Sequence, residues 1–178
     1  PNGWLLEYYP SSGQYYGGFN VFLSFSEGNK VKVGSEVAGK GKTATSTYSI
    51  YQSAGCVLTL DTYNEVMHYF ADPETTGGQG AGFGFEGDFE FNVLDLQDEK
   101  ITLKGRKTGS TMTMTPMPVS MSWDDYIVAL KEEESAISKH TRIRYQTADN
   151  KYDGRINGRT LEIFSEVDGE QVTTSYPF

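Results

Sequence analysis

The feature that most constrains this chain is a succession of short segments in which apolar and polar residues alternate, separated by glycine-containing turns. A period of two places apolar side chains on one face of a strand and polar side chains on the other. In residues 30–33, for example, two lysines share one face and two valines share the opposite face. The pattern predicts an all-β fold of antiparallel strands, each with one face towards a core.

The number of such segments predicts about eight strands before residue 120. Eight antiparallel strands can close into a barrel, and closure removes the exposed strand edges that promote aggregation. For residues 1–120 we therefore expect an antiparallel meander that forms a lipocalin-like barrel or a strongly curved sheet. Nine segments fit the pattern, in keeping with a count of about eight strands: residues 4–9, 19–25, 30–33, 46–52, 56–61, 66–70, 89–96, 101–107 and 111–117.

One convincing helix follows, in residues 121–140. Ser122 is suited to cap its N-terminus, with Asp124 and Asp125 in the first turn. Residues 141–178 return to the strand pattern and predict further strands. A short similarity between residues 25–29 and 164–169 suggests a second β unit that begins here and is cut short, in a longer natural protein. The alternative is that this similarity is a coincidence.

Charge and composition exclude some partners. The formal net charge is −9, so nucleic-acid phosphates and anionic lipids are repelled and neither is an expected partner. No apolar run approaches the length of about 18 residues that a membrane-spanning helix needs. The single cysteine, Cys56, lies in an apolar stretch, where we expect a buried and inert thiol.

No pattern in the chain indicates a cofactor, a metal or covalent catalysis. Residues 82–87 match G-x-G-x-x-G, but a strand rather than a helix is predicted after them, so nucleotide binding is not expected. H-E-x-x-H and paired C-x-x-C motifs are absent. The sequence favours a non-catalytic protein without cofactor or metal. A hydrolase that uses paired carboxylates, or His68, in a cleft remains the alternative.

Ligand contacts are predicted in three places. The first is a tyrosine cluster that includes Tyr8, Tyr15 and Tyr16, whose rings could stack on a sugar if they are exposed. The second is His68 with the nearby Asn64, where alternation would direct His68 towards the same face as its neighbours two residues away. The third is the glycine-rich segment 74–87, which we expect to be a loop that could cover a ligand.

Four strings of residues resemble a family of lipoproteins of unknown function from gut Bacteroidetes, domain-of-unknown-function family 4302. These strings are Gly3-Trp4-Leu5-Leu6-Glu7-Tyr8-Tyr9-Pro10, Gly17-Gly18-Phe19-Asn20, Leu60-Asp61-Thr62-Tyr63-Asn64-Glu65-Val66-Met67-His68 and Leu103-Lys104-Gly105-Arg106-Lys107-Thr108-Gly109. The likeness spans most of residues 3–117. No catalytic residues are established for the family, so the resemblance assigns none here.

The resemblance implies an exported protein, lipid-anchored at the outer membrane and facing the cell surface or the periplasm. It also implies a protein about twice as long, which accompanies outer-membrane nutrient importers. The resemblance also implies a lipidated cysteine outside this chain, so contact with a membrane is expected only through that anchor. The expected role is a non-catalytic accessory to nutrient uptake that binds a glycan, a peptide or an importer subunit. A purely structural scaffold is the second alternative.

Overall fold

The structure, a computed structural model, describes residues 2–74, 82–147 and 151–178. Its elements, in chain order, are the strands β1 (Trp4–Tyr8), β2 (Phe19–Ser26), β3 (Lys30–Ser35), β4 (Thr43–Gln52) and β5 (Cys56–Leu60), the helix α1 (Glu65–His68), the strands β6 (Glu90–Gln97), β7 (Lys100–Gly105) and β8 (Thr111–Pro116), the helix α2 (Trp123–Ile137), and the strands β9 (Arg142–Gln146), β10 (Lys151–Asn157), β11 (Thr160–Val167) and β12 (Glu170–Pro177).

Strands β1 to β8 form a closed antiparallel barrel in which each strand pairs with the next along the chain. The ring is completed by β1, because Trp4 pairs with Leu23 of β2 on one side and with Pro116 of β8 on the other. The predicted all-β fold, with a meander barrel, is thus confirmed. Closure leaves the barrel no unpaired edge at which another strand could add.

The barrel interior is filled by the alternate residues of each strand. Leu6 and Tyr8 of β1, Val21 of β2 and Leu103 of β7 point inwards and are buried. One end of the barrel, where β5 leaves and β6 enters, is closed by Met67, Phe70 and Phe85, which belong to the same apolar cluster. We call this the closed end; the core is continuous from it into the barrel.

The segment 66–70, predicted as a strand, is instead the short helix α1 followed by a turn. Its N-cap is Asn64, whose side-chain oxygen accepts hydrogen bonds from the backbone N–H groups of Val66 and Met67 at 3.2 and 3.1 Å. These bonds satisfy backbone donors that a helix start leaves unpaired. The alternation prediction was therefore wrong here, because five residues fit both periodicities and the cap selects the helical one.

Helix α2 packs on the outer wall of the barrel and begins at the predicted cap, Ser122, whose side chain accepts a hydrogen bond from Asp125 N at 3.1 Å. Phe22 points outwards from β2 and stacks on Trp123, with ring centroids 5.5 Å apart. The Trp123 ring also lies against Gly34 of β3. A Cβ at that position would come within 3.0 Å of the Trp123 ring, so the absence of a side chain makes room for it. The helix therefore covers an apolar strip of wall.

The last four strands form a separate antiparallel sheet in the order β12-β11-β10-β9. The turn between β10 and β11 fixes this sheet to the barrel through Arg159. Its guanidinium group donates to the Gly18 carbonyl oxygen at 2.8 Å, to Glu36 Oε1 at 2.6 Å and to Glu134 Oε1 of α2 at 2.8 Å. We call these residues the Arg159 cluster. Neither helix in the described part of the chain combines the length and apolarity needed to cross a membrane.

Candidate functional site

The end of the barrel opposite α1 holds a cavity of about 250 Å³, which we call the barrel mouth. Its walls are inward-facing residues from the parts of the strands that lie farthest from the closed end. They are almost all apolar, so a ligand here would meet few hydrogen-bonding groups. The lining residues are Trp4, Phe25, Tyr48, Ile50, Cys56, Leu58, Val93, Leu96, Ile101, Leu103 and Met114.

The mouth is graded from a buried floor to an exposed rim. Leu103 and Met114 at the floor are buried, whereas Leu96 at the rim is 72% exposed. An exposed leucine on a strand is unremarkable alone, but here it continues an apolar surface that leads into the barrel. Cys56 also lines the mouth and is exposed, so the expectation of a buried thiol was wrong. It stands at the first position of β5, where the barrel opens.

Tyr8 lies at the closed end rather than at a surface. It is completely buried, its ring centroid is 4.8 Å from that of Phe70, and its hydroxyl donates to the Asp88 carbonyl oxygen at 2.9 Å. Burial, reinforced by the charge of Asp88, raises the pKa of Tyr8 well above its ordinary value. Tyr8 thus binds the core together, and its position does not favour the predicted contact with a ligand.

Asp88, which sequence reasoning did not single out, organises the turn between β7 and β8. Its carboxylate is buried and accepts hydrogen bonds from Lys107 N at 2.7 Å, from Thr108 N at 3.1 Å and from the Thr108 hydroxyl. A buried carboxylate needs such partners to offset its desolvation. With its donors supplied by one turn, Asp88 has the arrangement of a structural residue.

The other two tyrosines of the predicted cluster are placed differently from each other. Tyr15 is 74% exposed. Tyr16 is half-buried, and its ring meets that of Phe85 edge-on with centroids 5.4 Å apart. Among the three predicted tyrosines, Tyr15 alone presents most of its ring to solvent, so the structure does not assemble them into one platform.

Both the oxygen and the nitrogen of the Asn64 side-chain amide form hydrogen bonds within the fold. The residue is 1% exposed; besides capping α1, its Nδ2 donates to the Ala44 carbonyl oxygen at 3.3 Å and to Ser46 Oγ at 3.1 Å. The side chain therefore joins α1 to β4. These four hydrogen bonds leave it no free group for the predicted ligand contact.

His68 lies at the end of α1 in an aromatic setting. Its ring stacks on Phe89 at 4.5 Å and is tilted against Tyr63 at 5.0 Å, and its Nδ1 lies 3.1 Å from the Asn64 carbonyl oxygen. Burial lowers the pKa of His68, although the hydrogen bond with Asn64 opposes that shift. The arrangement holds a neutral ring in place. Asn64 and His68 are thus brought together, but far along the barrel from its mouth.

Two further expectations concern metals and the glycine-rich segment. Within residues 2–74, 82–147 and 151–178, no group of three or more His, Cys, Asp or Glu side chains is arranged to hold a metal ion. The predicted contact segment 74–87 lies partly outside the described residues, at 75–81. Its last part, from Gly82, is described and includes Phe85 at the closed end.

Fold and cavity together define a class: an all-β protein built on an eight-stranded meander barrel, closed at one end by a helix and open at the other into an apolar cavity. The chain belongs to the family described as Domain of unknown function (DUF4302), whose model matches residues 1–178. Comparison with curated proteins gave no match, and neither did comparison with solved structures.

Proposed function

We propose that this protein is a non-catalytic binding module that holds an aliphatic chain of its ligand in the barrel mouth. The observation that carries the proposal is the mouth itself, an open cavity whose lining is almost wholly apolar. Each methylene group moved from water into such a site contributes about 0.8 kcal/mol. The lining supplies no charged group, which disfavours a hydrolase acting there.

The size of the mouth limits how much of the ligand it takes. Its volume of about 250 Å³ is below the range of roughly 300–1,000 Å³ typical of sites that enclose a whole drug-sized ligand. One end of a ligand fits, and the remainder stays outside. An alkyl chain and the leucine side chain of a peptide share the required chemistry, whereas a free glycan would leave its hydroxyl groups unpaired against this lining.

The wider role we infer is that of an exported, lipid-anchored accessory to nutrient uptake in Bacteroidetes, acting beside an outer-membrane importer. It is supported by the resemblance of four sequence strings to lipoproteins of this kind. An apolar peptide segment, from a nutrient or from an importer subunit, is then the source of the aliphatic chain. Fractionation of cells that produce the full-length natural protein tests this role, and recovery of the protein in the cytosol would contradict it.

The binding proposal is tested by titrating the protein with decanoate, a leucine-rich tetrapeptide and maltohexaose, with heat release and melting temperature as readouts. A ligand that prefers the folded state must raise the melting temperature. We expect the peptide to bind. Binding of decanoate without the peptide would keep the aliphatic-chain proposal but contradict a peptide as the source of the chain. Binding of maltohexaose alone would contradict the proposal, as would silence from all three, which favours a scaffold.

Strand β6 offers a matched pair of variants for the same titration. Leu94 and Leu96 are both exposed, at 55% and 72%, but Leu96 lines the mouth and Leu94, at a β-bulge, does not. Leu96→Glu places a charge at the rim and is expected to weaken binding about tenfold, or roughly 1.4 kcal/mol. Leu94→Glu should leave affinity unchanged. Equal effects would mean that binding occurs elsewhere.

A further inference from the structure

A second cavity lies on the C-terminal sheet, away from the barrel mouth. It is a surface depression of about 600 Å³ lined by residues of β9, β10 and β11 and by Thr141. The charged side chains that line it are three arginines and one aspartate, in a chain whose formal net charge is −9. We call it the arginine depression. Its lining residues are Thr141, Arg142, Ile143, Arg144, Asp153, Gly154, Arg155, Ile156 and Phe164.

Two of these arginines stand directly opposite each other. The register of β9 and β10 pairs Arg142 with Arg155, and Arg144 with Asp153. Directly opposed like charges on neighbouring strands destabilise a sheet. The register therefore sets two cations side by side, and the carboxylate of Glu162, which pairs with Arg155, offsets only part of their repulsion. An anion bound between the two arginines would relieve the rest.

The carboxylates of Asp153 and Glu162 are already engaged by the other two arginines. Arg144 Nε lies 2.6 Å from Asp153 Oδ1, and Arg155 Nε lies 2.6 Å from Glu162 Oε2. The hydrogen bond from Arg144 holds the pKa of Asp153 below its usual range, and that from Arg155 does the same for Glu162. In the part of the chain that the structure describes, Arg142 is exposed and forms no ion pair. Its guanidinium group is available to a ligand.

We propose that the arginine depression binds an acidic sugar, through a carboxylate or sulfate group held by Arg142 and Arg155. Guanidinium groups recognise such planar or multidentate oxyanions by paired N–H donors. Phe164 lines the same depression, and the Arg155 guanidinium lies over its ring, 5.9 Å from the centroid. An oxyanion held by Arg155 would therefore bring the apolar C–H groups of its sugar close to the Phe164 ring. Nucleic acid is disfavoured, because the many phosphates of its backbone would meet the acidic body of the protein.

This site is independent of the barrel mouth, because the two cavities have no lining residue in common. It is tested by calorimetric titration of the whole chain with an oligogalacturonate, a sulfated oligosaccharide and neutral maltohexaose. We expect at least one acidic probe to bind and the neutral probe not to bind. Preference between the acidic probes tells whether carboxylate or sulfate is the recognised group. Failure of both acidic probes would overturn the proposal.

Arg142→Gln removes the unpaired cation without breaking an ion pair. We expect it to weaken binding about tenfold, which is the size of effect that 1.4 kcal/mol produces. The same variant should raise the melting temperature of the free protein by about 1 °C, because it relieves the repulsion between Arg142 and Arg155. Weaker binding together with greater stability is a combination that a merely structural arginine would not show.

Lys139→Gln is the matched control, since Lys139 is exposed, carries the same charge and lies outside the depression. Lys139→Gln should change the affinity and the melting temperature less than Arg142→Gln does. Arg142→Lys keeps the charge but loses the paired donors, and is expected to fall between the wild type and Arg142→Gln. If Arg142→Gln and Lys139→Gln weaken binding equally, the interaction is a general charge effect and the assigned site is wrong.

Discussion

At the scale of single residues, polar side chains that invite a functional interpretation prove to hold the fold together. The amide of Asn64 forms hydrogen bonds with the first turn of α1 and with β4, and the carboxylate of Asp88 accepts hydrogen bonds from the turn after β7. Each is buried, and each has its partners within hydrogen-bonding distance. Sequence analysis singled out Asn64 but not Asp88. It could not show that the amide of Asn64 is satisfied within the fold, because that depends on contacts between distant segments.

The pKa of His68 makes a specific prediction for stability. Burial lowers this pKa in the folded protein, so the folded state binds a proton less readily than the unfolded state, where the ordinary value of 6.5 applies. Stability should therefore fall as the pH decreases from about 6.5 to the lowered folded pKa, and then level off with respect to this group. The measurement is urea unfolding of the wild type and of His68→Gln between pH 7.5 and 5.

The difference between the two proteins isolates His68 from Glu36. Burial raises the pKa of Glu36, so protonation of Glu36 acts in the opposite direction and favours the folded state as the pH falls. Both proteins contain Glu36, and its contribution cancels in the comparison. The loss of stability below pH 6.5 should be smaller in His68→Gln. Parallel pH profiles would show that His68 does not titrate differently on folding.

At the scale of elements, the joint between the C-terminal sheet and the barrel depends on the Arg159 cluster. The Glu36 side chain is 2% exposed, and Arg159 is its cationic partner at 2.6 Å. The guanidinium group also lies 4.4 Å from the Phe19 ring centroid. Backbone hydrogen bonds accompany these contacts, with Gly18 N donating to the Phe178 carbonyl oxygen at 2.9 Å. Ion pairs and backbone hydrogen bonds thus both attach the turn between β10 and β11 to the barrel.

Removal of Arg159 should destabilise the fold, because it leaves the buried carboxylate of Glu36 without its cationic partner. We expect Arg159→Met to lower the free energy of unfolding by roughly 3 kcal/mol, since breaking a buried pair leaves the partner uncompensated. In the double variant, adding Glu36→Gln to Arg159→Met should restore at least about 1 kcal/mol of the free energy of unfolding, a coupling typical of residues in contact. Denaturant unfolding of the two single variants and the double variant measures this cycle.

Glu134 provides the comparison for that cycle, because it pairs with the same guanidinium group at 2.8 Å but its side chain is 42% exposed. Solvent screens exposed pairs, so Glu134→Gln should cost less than about 1 kcal/mol. A coupling between Arg159 and Glu134 as large as that with Glu36 would show that burial is not what makes the joint strong.

The two helices differed in how well the sequence predicted them. Helix α2 was predictable because Ser122, its acidic first turn and fifteen helical residues agree with one another. Helix α1 was not, since its four residues are too few to separate a period of 3.6 from a period of two. The residues of the barrel mouth alternate like any core residues. Whether another element covers them is decided by the tertiary fold.

At the scale of the whole molecule, the barrel and the C-terminal sheet should differ in stability. The barrel has a continuous core and no free edge, whereas the sheet has two edge strands, and β12 in particular is almost wholly exposed. Backbone amides exchange fastest where few apolar contacts protect them. In hydrogen exchange we expect amides of β9 and β12 to exchange well before those of β2 and β7. Uniform protection would indicate a single cooperative unit.

The antiparallel meander was predictable from the number and spacing of its segments, but the choice between a closed barrel and an open curved sheet was not. Closure requires β1 to pair with β8, at opposite ends of the first 116 residues, and no local pattern specifies such a partner. The alternation is compatible with an open curved sheet as well as with a barrel. What decides between them is the fit of Leu6, Val21 and Leu103 into one shared core.

The pairing of β1 with β8 also bears on how the barrel could be rearranged. Trp4 and Pro116 are neighbours in the ring, so the two ends of the barrel segment of the chain lie side by side. Chains with adjacent termini tolerate circular permutation and insertion into other proteins. A short linker between those ends, with new termini at the exposed turn between β6 and β7, would preserve every strand pairing of the ring. The order in which the strands are synthesised is therefore separable from the architecture they form.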